Sequence, residues 1–148
     1  MTAANEAAHK ARADDSWTGG CACGRVRYRC AGPPVWQSYC HCSDCRRATG
    51  APVSVFAGWK VEAVSFASAP VERRGGGEAV RGFCPDCGTP VFYRDGRLPA
   101  EIYLLAGTLD APERIRPTCH AFTAEALPWL EIADDLPRHP RFSVARDQ

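Results

Sequence analysis

Seven of the nine cysteines in this 148-residue sequence fall into three tight groups. The groups are Cys21-Ala22-Cys23, Cys40-His41-Cys42-Ser43-Asp44-Cys45 and Cys84-Pro85-Asp86-Cys87, while Cys30 and Cys119 stand alone. A structural zinc takes four thiolate or imidazole ligands in a tetrahedron, and a CxxC turn brings two thiolates to one ion. In a CxC pair on a strand, residues i and i+2 share a face, so both sulfurs reach the same ion. Gly88, directly after Cys87, tolerates the left-handed backbone angle that lets amides point at sulfur. Counting then suggests a complete four-sulfur site from Cys21, Cys23, Cys84 and Cys87. Cys40, Cys42 and Cys45 supply three sulfurs within six residues and have no fourth ligand nearby in sequence. Three protein ligands plus water or substrate is the arrangement of a catalytic zinc.

Other readings of the same residues stay open at this level. Spacing also allows the second group to pair with the third. His120, Cys119 or Cys30 could close the three-sulfur site, and iron could replace zinc in a four-sulfur one. A redox role for the CPDC segment would call for a helix start in a βαβ pattern, which the sequence lacks. Cys30 reads as a small buried hydrophobe on its strand. His41, between two ligands, reads as pointing away from the metal toward a surface hydrogen bond.

Lys plus Arg total 18 against 17 Asp plus Glu, a formal charge of +1. Phosphate neutralisation supplies most of the affinity of a nucleic-acid binder, so this balance argues against such a partner. No apolar run approaches the roughly 20 residues a membrane helix needs, which argues against a membrane. Met1 to Asp15 is Ala-rich and charged, with no apolar stretch of signal-peptide type. The expected location is cytoplasmic, where thiols stay reduced. That setting and the odd cysteine count both argue against a disulfide framework.

The elements that must position these groups are short strands and turns. Val26, Tyr28 and Cys30 alternate with Arg25, Arg27 and Arg29, the period-two signature of a half-buried strand. Further strands are expected at Val35–Tyr39, Ala51–Trp59, Val61–Ala67, Val80–Phe83, Val91–Tyr93, Glu101–Leu105 and Thr118–Phe122. Within Ala51–Trp59, regular pairing puts Val53, Val55 and Trp59 on one face. Ser43 can cap a short helical turn through Ala48, with Gly50 as its stop. Arg73–Glu78, with three consecutive glycines, reads as a loop. The prediction is a mainly β protein with one domain over residues 17–138. Flexible tails are expected at 1–16 and 139–148, with the loss of regular pattern beginning at Pro137.

These motifs together resemble the glutathione-dependent formaldehyde-activating enzyme family, to which centromere protein V also belongs. The resemblance rests on Gly20-Cys21-x-Cys23-Gly24-x-Val26-x-Tyr28, on Cys40-His41-Cys42-Ser43-Asp44-Cys45-Arg46-Arg47-x-Thr49-Gly50 and on Phe83-Cys84-x-x-Cys87-Gly88-Thr89. Gly107-Thr108-Leu109-Asp110, the Pro117–Phe122 segment with His120, Trp129 and Asp135-Leu136-Pro137 extend it over residues 17–138. It implies a β-tent of antiparallel sheets stabilised by two zinc ions per chain. One is a structural zinc on Cys21, Cys23, Cys84 and Cys87, the other a catalytic, open-site zinc on Cys40, Cys42 and Cys45. The implied activity is that of a carbon–sulfur lyase acting on a small thiol–aldehyde adduct such as S-hydroxymethylglutathione, with glutathione as the candidate thiol. Arg46 and Arg47 follow the last ligand and are candidates to balance charge or hold a substrate carboxylate. A non-catalytic, zinc-stabilised binding module for a protein partner is the alternative.

Overall fold

The computed structural model describes residues 15–143; residues 1–14 and 144–148, and with them most of the first expected tail and the end of the second, lie outside the described residues. Among the described residues, ten strands form two sheets. β1 (Trp17–Gly20), β2 (Arg27–Cys30) and β5 (Val64–Phe66) make a three-stranded antiparallel sheet in the order β1-β2-β5. The larger sheet has seven strands. These are β3 (Trp36–Cys40), β4 (Ser54–Lys60), β6 (Val71–Arg74), β7 (Ala79–Phe83), β8 (Pro90–Asp95), β9 (Glu101–Leu105) and β10 (His120–Ala121), in the order β10-β3-β4-β9-β8-β7-β6. The fold is mainly β. Between these strands all pairings are antiparallel except β10 with β3, which makes the larger sheet mixed.

Alternation along the central strands explains the two cores, since successive side chains on a strand point to opposite faces. Ala57 and Trp59 of β4, Phe92 of β8, and Ile102 and Leu104 of β9 belong to the larger core beneath the smaller sheet. Val55 packs against the same cluster, as the expected face of this strand requires. The intervening Phe56, Tyr93 and Tyr103 face the other way. They pack with Cys40 and Cys45 in a second, smaller cluster. The seven-stranded sheet is thus buried on one side by the smaller sheet and carries the three-cysteine group on the other.

Several elements differ from expectation. β1 is absent from the strands expected above because Gly19 and Gly20 are poor strand formers. The Gly19 position leaves no choice: a Cβ there would lie 2.3 Å from the Tyr28 hydroxyl and 2.5 Å from the Thr108 carbonyl oxygen. β6 occupies the start of the stretch read as a loop, its register held by β7 (Arg73↔Arg81). The helix α1 (Ser43–Thr49) ends at Gly50 as expected, but its N-cap is Cys42 rather than Ser43. The Cys42 sulfur accepts the Cys45 backbone N–H at 3.2 Å. Past β10, the chain from Pro137 to Arg141 runs along residues 120–124. His120, Phe122 and Thr123 donate backbone N–H bonds to the carbonyls of Pro137, Arg141 and His139 at 2.8–3.0 Å.

Candidate metal centres and the cleft beside them

The cysteine groups converge on two places. Cys21 and Cys23 lie on the turn that joins β1 to β2, and Cys84 and Cys87 on the turn that joins β7 to β8. Their four sulfurs are all within 4.8 Å of one another. Cys21 and Cys23 sulfurs are 3.5 Å apart, those of Cys23 and Cys84 3.7 Å. Cys40, Cys42 and Cys45 form the second group, with Cys40 at 3.5 Å from Cys42 and 3.7 Å from Cys45. Tetrahedral ligation at a metal–sulfur distance of about 2.3 Å puts sulfurs roughly 3.8 Å apart, so both groups have the spacing of a zinc-type thiolate site.

Backbone geometry explains how each cluster is held. Gly88 has φ of 76°, as its place after Cys87 requires, and its N–H bonds back to the Cys84 carbonyl at 3.0 Å. Cys21 accepts the Val26 N–H at 3.2 Å. The two loops also touch directly: Ala22 N–H donates to Thr89 Oγ1 at 3.1 Å, and Arg25 pairs with Asp86 at 2.9 Å. In the second cluster, β3 delivers Cys40, the helix cap delivers Cys42, and the first turn of α1 delivers Cys45.

The thiols in each cluster compete for charge. Contact with Cys40 and Cys45 holds the Cys42 thiol far below its ordinary value, and Cys42, Cys45 and burial push Cys40 far above it. The Thr89 hydroxyl pulls Cys87 down to about 5. The Arg25 N–H favours the Cys23 thiolate, but neighbouring Cys21 and Cys87 raise Cys23 to about 12. Sulfurs that ionise at one another's expense become a full set of thiolates around a cation.

The second cluster opens onto a cleft of about 730 Å³ lined by all three of its cysteines. Arg81 of β7 enters it with a side chain only 19% exposed. Its Nη2 donates to Asp44 at 2.7 Å and to the Cys45 sulfur at 3.6 Å, and its guanidinium lies 5.0 Å from the centre of the Tyr93 ring. Three thiolates around a divalent cation would leave one negative charge, and the guanidinium beside these sulfurs is that of Arg81, shared with Asp44.

A family model for the glutathione-dependent formaldehyde-activating enzyme matches residues 16–125, most of the chain. The chain belongs to that family. No curated protein matches the sequence. Among solved structures, a crystal structure of a Rhodobacter sphaeroides protein is similar in fold, with a TM-score of 0.54 at 21% identity, covering 68% of this chain and 91% of that one.

In this member of the formaldehyde-activating family, the remaining candidates sit as follows. Arg46 donates to the carbonyls of His41 at 3.2 Å and Glu125 at 2.6 Å, and Arg47 is exposed; neither lines the cleft. Cys30 is buried in the larger core, where burial pushes its thiol up to about 12. Cys119 is buried and donates to Ser38 Oγ at 3.5 Å. His41 is not at the surface. It is 3% exposed, and its Nε2 lies 2.8 Å from Nδ1 of the fully buried His120. Pairing of β10 with β3 draws it inward, the His41 N–H bonding the Ala121 carbonyl at 3.0 Å. His120 is in turn engaged by Asp134, so among the described residues the three-cysteine group gains no fourth ligand from His120, Cys30 or Cys119. Arg81 and Asp134 escaped sequence reasoning. For Arg81 the available signal was an arginine in the strand that runs into the CPDC turn; Asp134 gave none.

Among the described residues, no helix is long and apolar enough to cross a membrane.

Proposed function

We propose that this chain is a zinc-dependent carbon–sulfur lyase-type enzyme that makes or breaks the bond between a small thiol and an aldehyde. S-Hydroxymethylglutathione is one adduct of this reaction class. The reading is carried by the contrast between the clusters: four sulfurs close on one another between two loops, whereas three face a cleft. In this proposal Cys21, Cys23, Cys84 and Cys87 hold a structural zinc, and Cys40, Cys42 and Cys45 hold a second. The domain proposed to do this is residues 17–138, working in the cytoplasm, with Phe142 of the following segment added to the cleft wall.

Cys40, Cys42 and Cys45 would hold the second zinc, whose chemistry when bound would be to favour the thiolate form of a substrate sulfur. In the synthetic direction sulfur bonds to the aldehyde carbon, and the proton lost by the thiol ends on the former carbonyl oxygen. The lyase direction reverses both changes. Arg81, beside Cys45, offsets the anionic charge, a role the sequence suggested for Arg46 and Arg47. Asp44 and Glu125 contribute carboxylates to the cleft lining, Asp44 bound to Arg81 and Glu125 accepting from the Ser43 hydroxyl at 2.8 Å. These are the groups proposed to carry the proton at the open side of the sulfurs. The family description, which names glutathione and formaldehyde, agrees with this reaction class.

Exchange NMR of thiol–formaldehyde interconversion, with and without zinc-loaded protein, tests the proposal. Faster exchange that disappears in Cys45→Ala supports it. Unchanged exchange for glutathione and several other small thiols would instead favour a zinc-stabilised binding module for a protein partner.

A further inference from the structure

We infer that the thiol taken by this cleft is an uncharged aryl or arylalkyl thiol rather than a charged, peptide-like one. The inference rests on the open-site reading above and concerns what the rest of the cleft can hold. Six aromatic side chains line the cleft: Trp36, Phe56, Tyr93, Tyr103, Phe122 and Phe142. They are arranged for ring contact, with Trp36 edge-on to Tyr103 at 5.4 Å and Phe122 edge-on to Phe142 at 4.8 Å between centroids. Such walls bind by apolar area and ring geometry, and they offer little to an ionised carboxylate.

The charges of the cleft point the same way. Among the described residues its cations are Lys60, Arg81 and Arg97, and each already has an acid partner. Lys60 pairs with Glu101 at 3.5 Å, Arg81 with Asp44 at 2.7 Å, and Arg97 with the fully buried Asp95 at 2.8 Å. Asp44, Glu78, Glu101 and Glu125 also line the cleft, so its acids outnumber its bases by four to three before any thiolate is counted. A tripeptide thiol such as glutathione brings two carboxylates and an ammonium. Its carboxylates would have to displace partners such as Asp95 or lie unpaired against aromatic walls, and each alternative carries a desolvation cost. An aryl ring meets no such cost.

Phe122 adds a third observation. Its φ of 57° and ψ of 39° lie in the left-handed region, which bulky residues rarely occupy. The conformation is held by the bonds of Phe122 and Thr123 N–H to the carbonyls of Arg141 and His139. Strain of this kind persists where surrounding structure over-determines it, often at a ligand wall. The same strand of chain brings Phe142 against Phe122, and Arg97 lies 5.0 Å over the Phe142 ring.

The test is thiol binding to the full chain loaded with cobalt(II), read by the sulfur-to-cobalt charge-transfer band. The probes are benzyl mercaptan, glutathione and 2-mercaptoethanol, the last having neither ring nor charge. Burial of one ring predicts that benzyl mercaptan binds at least about tenfold more tightly than either of the others. Phe122→Ala should remove most of that advantage and leave 2-mercaptoethanol unchanged, and Trp36→Leu should act likewise. Glutathione binding as tightly as benzyl mercaptan would overturn this inference and leave the open site standing. A cobalt spectrum unmoved by any of the three thiols would overturn the open site itself, and the inference with it.

Discussion

His41 Nε2 lies 2.8 Å from His120 Nδ1, and His120 Nε2 lies 3.0 Å from the Asp134 carboxylate. The residue between two candidate ligands is thereby tied, through a fully buried imidazole, to the C-terminal segment. With both rings neutral, the carboxylate acceptor has His120 donating from Nε2, which leaves its Nδ1 to accept from His41 Nε2. Burial, then His120, push the His41 pKa below its ordinary value, in keeping with a neutral ring. His120→Phe would keep a ring against Tyr39, now stacked at 4.5 Å, but leave the His41 N–H without an acceptor. The expected loss is about 1–3 kcal/mol, the cost of an unsatisfied buried donor. Urea titration checks it, and an unchanged midpoint would mean that His41 finds another partner.

The two clusters should respond differently to loss of one ligand. Cys84→Ala breaks the group that fastens the β1–β2 turn to the β7–β8 turn. A structural zinc contributes roughly 10–16 kcal/mol at neutral pH. A whole domain is stable by only about 5–15 kcal/mol. The variant should therefore lose its cooperative unfolding transition. Cys45→Ala should keep the fold and lose only the second metal. Metal content by atomic emission, with circular dichroism on the same samples, separates these outcomes; joint loss of fold and both metals in Cys45→Ala would remove the main support for an open site.

Gly19→Ala probes the seam between the small sheet and the segment after β9. The added methyl would press on the Thr108 carbonyl as well as on the Tyr28 hydroxyl, which now lies 2.8 Å from Thr108 Oγ1. Backbone on one side cannot swing away as a side chain can. Overpacking of this sort costs about 1–3 kcal/mol. Thermal melting of the metal-loaded variant measures it.

Acid should weaken the same seam through Asp110. The Arg27 guanidinium first, and the Thr18 hydroxyl at 2.7 Å second, pull its carboxyl from 3.8 down to about 2. A depressed carboxyl contributes stability that is fully present above its unfolded value and lost as pH falls through the folded one. The window is therefore roughly pH 4 to 2, going downward. Because the pair is largely exposed, screening holds the contribution to about 0.5–1 kcal/mol. Asp110→Asn should flatten that part of the stability–pH curve relative to the parent chain, compared by chemical denaturation at each pH.

Much of the metal chemistry is legible in the sequence because it is local. Within CxC, CxxC and the Cys40–Cys45 group, the ligands are two to five residues apart, and strand alternation or one helical turn is enough to bring their sulfurs together. The same locality explains Gly88, Gly50 and the strand at Glu101–Leu105, whose signals lie within a few residues. Spacing could not say which pairs share a site. That was decided by the β1–β2 and β7–β8 turns meeting across more than sixty residues of chain, a consequence of how the two sheets pack.

The cleft belongs wholly to tertiary structure. Trp36, Arg81, Tyr93, Tyr103 and Phe142 come from five separated segments, and apart from Arg81, in the strand that runs into the CPDC turn, none carries a local mark of its role. His41 shows the limit most clearly. Its place between two cysteines suggested exposure, yet a two-residue parallel pairing with β10 buries it against His120. Residue types and short spacings determine what this chain can bind. Sheet packing decides which cysteines act together, and what else faces them.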